Sequence, residues 1–230
     1  MKTVVFASRK WTTAMADGRI MNSGNPWQWY DDDCVNIINS NAYLSVKNKP
    51  NHIKYYDGRE FDPTVATGVM RSEETFCYGT FKANIKLPCG YNLWPAFWLV
   101  GEGKWPDNGE IDICEGWTNA FGYFRLSGWR TTNNIHFAEY DTHQDIGCKN
   151  VPFCKSLLKP SENFIEYAVR WEPDSVVFYV NDKAVRTCGE DIAQYLRDKK
   201  MHVVFDFWTQ GEKYDVDSNM IINNFHYKPL

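Results

Sequence analysis

The chain lacks a long hydrophobic run. Its amino terminus, Met1 to Lys10, holds only a short apolar stretch before charge returns. That is too short for the core of a secretory signal, and no later window approaches a membrane span. Positive charge is not in excess either. Lys and Arg number 25 against 29 Asp and Glu, giving a formal net charge of −4. Without a basic field to attract polyphosphate, nucleic acid is not an expected partner. Internal repeats, low-complexity tracts and linkers are absent, and 230 residues fit a single domain, taken as 1–230. There is no Cys-x-x-Cys pair and no zinc-ligand spacing. The seven cysteines (34, 77, 89, 114, 148, 154 and 188) are an odd number, so at least one is unpaired or bridges between chains. Cys148 and Cys154 close a short loop that a disulfide can bridge. Cys114 reads as a buried, inert thiol. These cysteines leave the redox compartment open.

What the chain does have is aromatic surface and short β-rich runs. Hydrophobic residues make up 43% of the sequence, enough for a sizeable core, and ten Trp and thirteen Tyr stand out. Such rings fill cores and also stack on the apolar faces of sugars. Short runs separated by turn residues mark a sandwich or barrel. Strands are expected at 35–38, 43–47, 76–87, 94–100, 110–115, 164–171, 175–180, 183–187, 201–208 and 220–227, with Asn181-Asp182 as a hairpin turn. One helix is expected at 190–198, where Ile192, Tyr195 and Leu196 fall at i, i+3 and i+4. Segments 18–34 and 141–163 read as loops over the sheet rims.

Residues 107–116 read Asp-Asn-Gly-Glu-Ile-Asp-Ile-Cys-Glu-Gly, with Glu110, Asp112 and Glu115 separated only by Ile111, Ile113 and Cys114. Clustered acids beside apolar residues are costly. The pattern suggests a strand packed on one face and displaying carboxylates on the other. Strand alternation puts Glu110 and Asp112 on one face and Glu115 on the opposite one. A β-bulge near Ile113 or Cys114 returns Glu115 to the acid face. Two Glu with an intervening Asp suit retaining glycoside hydrolysis: a nucleophile, an acid/base and a group that tunes the pair. An acidic strip on an exposed edge strand is the plain alternative.

The run Tyr78-Gly79-Thr80-Phe81-Lys82, then Leu93-Trp94-Pro95-Ala96-Phe97-Trp98-Leu99, Trp105-Pro106 and the acids resembles the core of glycoside hydrolase family 16. That family's signature is Glu-x-Asp-x-x-Glu or an unbulged form. Glu166 to Asp174 and Val177 to Asp182 look like its paired strands after the site, so the resemblance covers roughly residues 67–228. The six-residue acid spacing is similar to the laminarinase, agarase and carrageenase branches. The resemblance implies an all-β jelly-roll sandwich of two curved antiparallel sheets, with an open substrate groove on the concave face. It implies Glu110 as nucleophile, Glu115 as acid/base and Asp112 as the residue that bonds the nucleophile and holds the two pKa values apart, with Glu115 protonated and Glu110 ionised.

Other site residues follow from the same resemblance, each beside a plainer reading. Trp98 and Trp105 match positions that line the subsites next to the cleaved bond; core packing is the alternative. Trp94 is core or sheet edge. His136 sits where the family often places a His beside the acids, bonding a sugar or Glu115, or it is a structural His. Arg71 reaches a donor-side hydroxyl or makes a surface ion pair. The family's late Asn-x-Ala-x-Gly-Gly is replaced by Asp206-Phe207-Trp208-Thr209-Gln210-Gly211. That wall is therefore rebuilt, with Trp208 as a stacking platform. The closing strand, Ile222-Asn223-Asn224-Phe225-His226-Tyr227, lacks the Asp of a structural calcium site, which puts calcium in doubt.

The expected function is an endo-acting retaining hydrolase of a β-linked polysaccharide, first a β-1,3- or mixed-linkage glucan. The alternatives are an endo-β-galactanase (of agar, porphyran, carrageenan or a mucin-type glycan) and a non-catalytic carbohydrate-binding protein. Two carboxylates suffice, so no metal or organic cofactor is expected, and the protein is expected to act as a monomer. A long polysaccharide does not enter a cell unaided. An extracellular or cell-surface location is expected, through a signal absent from this chain or by delivery such as a phage particle.

Overall fold

The computed structural model describes residues 1–20, 27–55, 57–117, 130–140, 142–147, 149–150, 159–216 and 219–230. The pairing expected between Cys148 and Cys154 lies outside them.

Alternating burial builds two layers. In one, the strands run in the order Thr3–Phe6, Arg9–Thr12, Val65–Ser72, Met201–Thr209, Leu93–Gly101, Glu110–Trp117, Arg130–Glu139 and Thr142–Asp145. In the other the order is Lys183–Cys188, Ser175–Val180, Ile165–Glu172, Gly79–Lys86, Met220–Lys228, Asn41–Leu44 and Val35–Ile38. Pairing is antiparallel throughout these two paths, and among the described residues only the short strand Gln28–Tyr30 runs parallel, beside Val65–Ser72. Gly79–Lys86 shows the pattern plainly: Phe81, Ala83 and Ile85 are fully buried while Thr80, Lys82 and Asn84 are half-buried on its other side.

The layers meet on aromatic rings. Phe97 stacks on Phe205 at 4.6 Å within the first sheet, and Phe225 of the second meets Phe205 at 6.0 Å and Trp11 at 5.5 Å. Removing such a ring leaves a cavity that costs about 3–5 kcal/mol. These contacts form the sandwich interior and set the back wall against which the site is built.

Most strands expected from the sequence lie within one or two residues of their observed bounds. The expected run 43–47 is split, into Asn41–Leu44 and Val46–Asn48. The expected helix 190–198 is shorter: Glu190–Ala193 is α-helical and Gln194–Leu196 is a 3-10 turn. Two long strands were not foreseen, Val65–Ser72 and Arg130–Glu139. Polar residues occur on both of their faces, with Asn134 and His136 toward the groove and Asn133 and Ser72 away from it, so apolar-polar contrast is weak and propensity alone does not mark them. The rim segments expected as loops also carry short strands, at Gln28–Tyr30, Thr142–Asp145 and Lys149–Asn150. Among the described residues no helix is long and apolar enough to cross a membrane.

Candidate active site

The acid strand, Glu110–Trp117, begins at a turn that demands glycine. Gly109 has φ +73, and a Cβ there would lie 2.9 Å from Leu196 Cδ2. Asn108 donates to the carbonyl of Gly101 at 2.6 Å, which closes the loop from the preceding strand. Along the strand, Ile111, Ile113 and Cys114 all enter the sandwich core. Burial raises the Cys114 thiol's pKa, as expected of an inert thiol.

Two consecutive residues facing inward require a bulge, and the register shows it. Asp112 is opposite Asn134 and Glu115 opposite Thr132, so Ile113 and Cys114 together face one residue of the neighbouring strand. On the other side Cys114 pairs with Phe97 and Asp112 with Trp98, leaving Ile113 unmatched. The extra residue turns Glu115 back onto the face of Glu110 and Asp112, as its spacing suggested. All three line one groove of about 1020 Å³.

The register also places the neighbours. Glu115, Ala96 and Asp206 form one cross-strand row, and Asn134, Asp112 and Trp98 form the next. The small Ala96 leaves room above it for the two flanking carboxyls. Trp94 donates to Glu115 Oε1 at 3.0 Å, and the Thr132 hydroxyl lies 3.4 Å from Oε2. Trp105 hydrogen-bonds to Glu110. Asp112 hydrogen-bonds to Glu110 as well. His136, directly opposite Glu110, holds Nε2 3.8 Å from Glu110 Oε1 and 3.2 Å from Asp112 Oδ2. Asp206 accepts from Trp98 at 3.3 Å and Tyr30 at 3.5 Å.

Four carboxyls in a poorly solvated row resist ionisation. Burial raises Glu110 well above the ordinary carboxylate range, Asp112 and Glu115 push it further, and His136 pulls it back. Asp112 and Asp206 are likewise raised well above that range, chiefly by burial and then, for Asp112, by Glu115. Glu115 is raised by burial and partly relieved by the Trp94 hydrogen bond. The expectation of an ionised Glu110 beside a protonated Glu115 therefore changes. Both are raised, because the whole row shares one desolvated environment and titrates as a set.

The aromatic residues divide. Trp105 is 45% exposed and stands beside the acids with its ring 6.0 Å from that of His136. Trp98 lines the groove but is 6% exposed, and its indole is committed to Asp206. Trp208, expected as a stacking platform, is 2% exposed. Its N–H donates to Tyr30 at 2.6 Å and the two rings meet edge to face at 5.4 Å. The unforeseen strand Gln28–Tyr30 brings Tyr30 against it, making Trp208 part of the groove floor rather than an open face. Arg71 is half-buried on the groove wall. Burial disfavours its charge, and Glu102 and then Glu73 favour it.

Sequence reasoning missed Asp206 as a fourth acid of the row, Trp94 as a donor to Glu115, and His143, whose ring stacks on that of His136 at 5.1 Å. The Glu115–Ala96–Asp206 register was the signal for the first, but it needs the sheet order before it can be read. Glu110, Asp112 and His136 offer ligand atoms within 4.8 Å of one another, as do His136, His143 and Asp145.

The sequence profile of glycosyl hydrolases family 16 matches residues 25–224. A beta-glucanase of Rhodothermus marinus is 31% identical over 136 residues, which cover 55% of this chain and 42% of that protein. A glucan endo-1,3-beta-glucosidase of Cryptopygus antarcticus is 29% identical over 136 residues, covering 57% and 47%. The chain thus spans less than half the length of these two curated relatives. The catalytic domain of an endo-1,3-beta-glucanase (laminarinase) from Thermotoga petrophila superposes with TM-score 0.72 at 20% identity, over 99% of this chain and 94% of that one. With the profile spanning most of its length and the sandwich superposing over nearly all of it, the chain is a β-jelly roll that belongs to glycosyl hydrolases family 16.

Proposed function

We propose that the protein is an endo-acting retaining glycoside hydrolase whose substrate is a β-1,3- or mixed-linkage β-glucan. The observation that carries this reading is the bulge at Ile113 and Cys114, which sets Glu110, Asp112 and Glu115 on one face of an open groove. Glu110 attacks the anomeric carbon while Glu115 gives its proton to the leaving glycosidic oxygen. In the second step Glu115 takes a proton from water, and that water displaces Glu110 from the sugar. Asp112 shares a proton with Glu110 until substrate arrives, and Trp105 offers the exposed ring on which a sugar stacks. No metal enters either step. A polymer of this size is met outside cells, where the protein is placed by this reading.

The names of the relatives support a glucan as first substrate. A charged galactan is the second reading, favoured by Arg59, Arg71 and Lys104 on the groove wall. Both are tested on one panel of laminarin, mixed-linkage β-glucan, agar and carrageenan, comparing the chain with Glu110→Ser. Laminarin or mixed-linkage glucan should release oligosaccharides with the native chain only, and early products should retain the β-anomer by NMR. Inverted products, or equal release by Glu110→Ser, would refute the double displacement.

A further inference from the structure

The reaction leaves two polar side chains of the rim strand Thr142–Asp145 without a task. Asp145 is directly opposite His136, and His143 pairs with Ala138, so strand alternation points His143 and Asp145 to the face of His136. Their ligand atoms and that of His136 lie within 4.8 Å of one another. His136 Nδ1 is 2.9 Å from His143 Nε2, with the rings stacked at 20°. The carboxylate is anchored: the Gly147 N–H donates to Asp145 Oδ1 at 2.6 Å. Arg186, reaching over from the opposite sheet, donates to the carbonyls of Ile146 at 2.6 Å and Gly147 at 2.8 Å.

A second observation lies on the far side of the same imidazole. Asp112 Oδ2 is buried and has no hydrogen-bond partner among the described residues, and the Asp112 side chain is 7% exposed. His136 Nε2 sits 3.2 Å from that oxygen and 3.1 Å from Asn134 Nδ2, from which it accepts while Nδ1 faces only His143 among the described residues. An ion on Nδ1 of a neutral imidazole fixes its hydrogen on Nε2, where it can be donated to a carboxylate, the usual outer support of a metal-bound histidine. The orphaned oxygen stands where that support is needed.

We propose that His136, His143 and Asp145 form a binding site for one divalent transition-metal ion of the zinc type, with Asp112 as the carboxylate behind His136. Two imidazole nitrogens and one carboxylate oxygen suit Zn²⁺ or Cu²⁺ and are poor for Mg²⁺ and Ca²⁺, which take oxygen ligands. Zinc–nitrogen bonds of about 2.0–2.1 Å put two ligand nitrogens about 3.3 Å apart in a tetrahedron. The two rings need to part by only a few tenths of an ångström to admit the ion. Water completes the coordination at the exposed rim. The ion sits beside Trp105, whose ring is 4.6 Å from that of His143. It therefore occupies the edge of the groove and engages Asp112 through His136, so zinc inhibits hydrolysis. The site stands without the hydrolase reading; only the inhibition rests on it.

Titration of the whole chain with zinc chloride near neutral pH, followed by calorimetry, tests the site. One equivalent should bind, with no heat from magnesium or calcium chloride. His143→Ala should weaken binding at least about tenfold and Asp145→Asn by a similar factor. In the laminarin assay, Asp145→Asn should keep the metal-free rate and need about tenfold more zinc for inhibition. Zinc affinity unchanged in both variants overturns the proposal. So does binding that is lost in Glu110→Gln but kept in His143→Ala, since the ion then sits among Glu110, Asp112 and His136. A chain that binds zinc through His143 but cleaves no polysaccharide keeps the site and removes the hydrolase reading.

Discussion

The outer faces of the two sheets carry acids in opposite states. On the second sheet Lys82 bridges Glu166 and Asp182, both at 2.9 Å, and the Lys82 hydrogen bond holds the Asp182 carboxyl below its ordinary pKa. Asp182 is exposed there, so water and a cation stabilise its charge, and such a pair adds little to stability. In the groove of the first sheet, Glu110, Asp112, Glu115 and Asp206 have no lysine or arginine among their principal pKa influences, and all four are raised. The same residue types thus make a solvated surface on one layer and a proton-holding row on the other. Burial and the choice of partner decide which, not the acids themselves. A row that holds protons is what general acid catalysis requires, and its cost is borne by the packed core beneath it.

The sharpest way to break this contrast is Glu115→Gln, which keeps the row's packing and removes the proton that Glu115 donates. Loss of hydrolysis by at least about 10³-fold is expected, with no loss of melting temperature. Deleting Ile113 is the companion test. The remaining Glu-Ile-Asp-Cys-Glu alternates without a bulge, so Glu115 stays on the groove face while the core loses one apolar side chain. That variant should melt at a lower temperature yet lose far less activity than Glu115→Gln. Rates on laminarin and thermal melts of the two variants make the comparison, and a deletion variant as inactive as Glu115→Gln would show that the face alone does not place the acid.

The pH profile sharpens the contrast next. Glu110 must be ionised to attack and Glu115 protonated to donate, and both carboxyls are raised. The rate should rise with pH only as Glu110 loses its proton, above the usual carboxylate range, and fall as Glu115 loses its own. His136→Asn removes a group that lowers the Glu110 pKa. Its rising limb should therefore move to higher pH. A rising limb near the ordinary glutamate value would show that Glu110 is not held as described.

The smallest effect concerns stability. For an acid raised in the folded state, the fold binds more protons than the unfolded chain between the two pKa values. Its stabilising share is complete below the unfolded value and is lost as pH rises through the folded one. Glu110→Gln should therefore raise the melting temperature by about 2–4 °C above neutrality, and by less in acid, where the native carboxyl is protonated in both states. Asp182→Asn, on the other sheet, should leave the melting temperature nearly unchanged at neutral pH. Differential scanning calorimetry at acid and alkaline pH separates the two.

The acid strand was legible because its pattern is local. Apolar Ile111 and Ile113 between carboxyls fix which side packs, and an odd spacing inside such a pattern implies a bulge. The strands Val65–Ser72 and Arg130–Glu139 were not legible, although they carry Arg71, Thr132, Asn134 and His136. Of these, Thr132 and Asn134 are polar and buried, a combination that hydrogen-bond partners across the sheet make stable. Trp208 was misread for a related reason. Its exposure depends on Tyr30, nearly 180 residues away in the chain, and no periodicity around Trp208 reports it.

By itself the sequence determined the all-β class, the acid motif with its kink, and the family. These follow from contacts within one strand or from the cost of burying charge beside apolar residues. Tertiary structure alone decided that Asp206 joins the acids, that Trp94 bonds Glu115 while Tyr30 closes off Trp208, and that His136 stands between the acid row and His143. Each of these is set by cross-strand register. Register depends on how the whole interior packs, so residues far apart in the chain become neighbours only when both layers have closed.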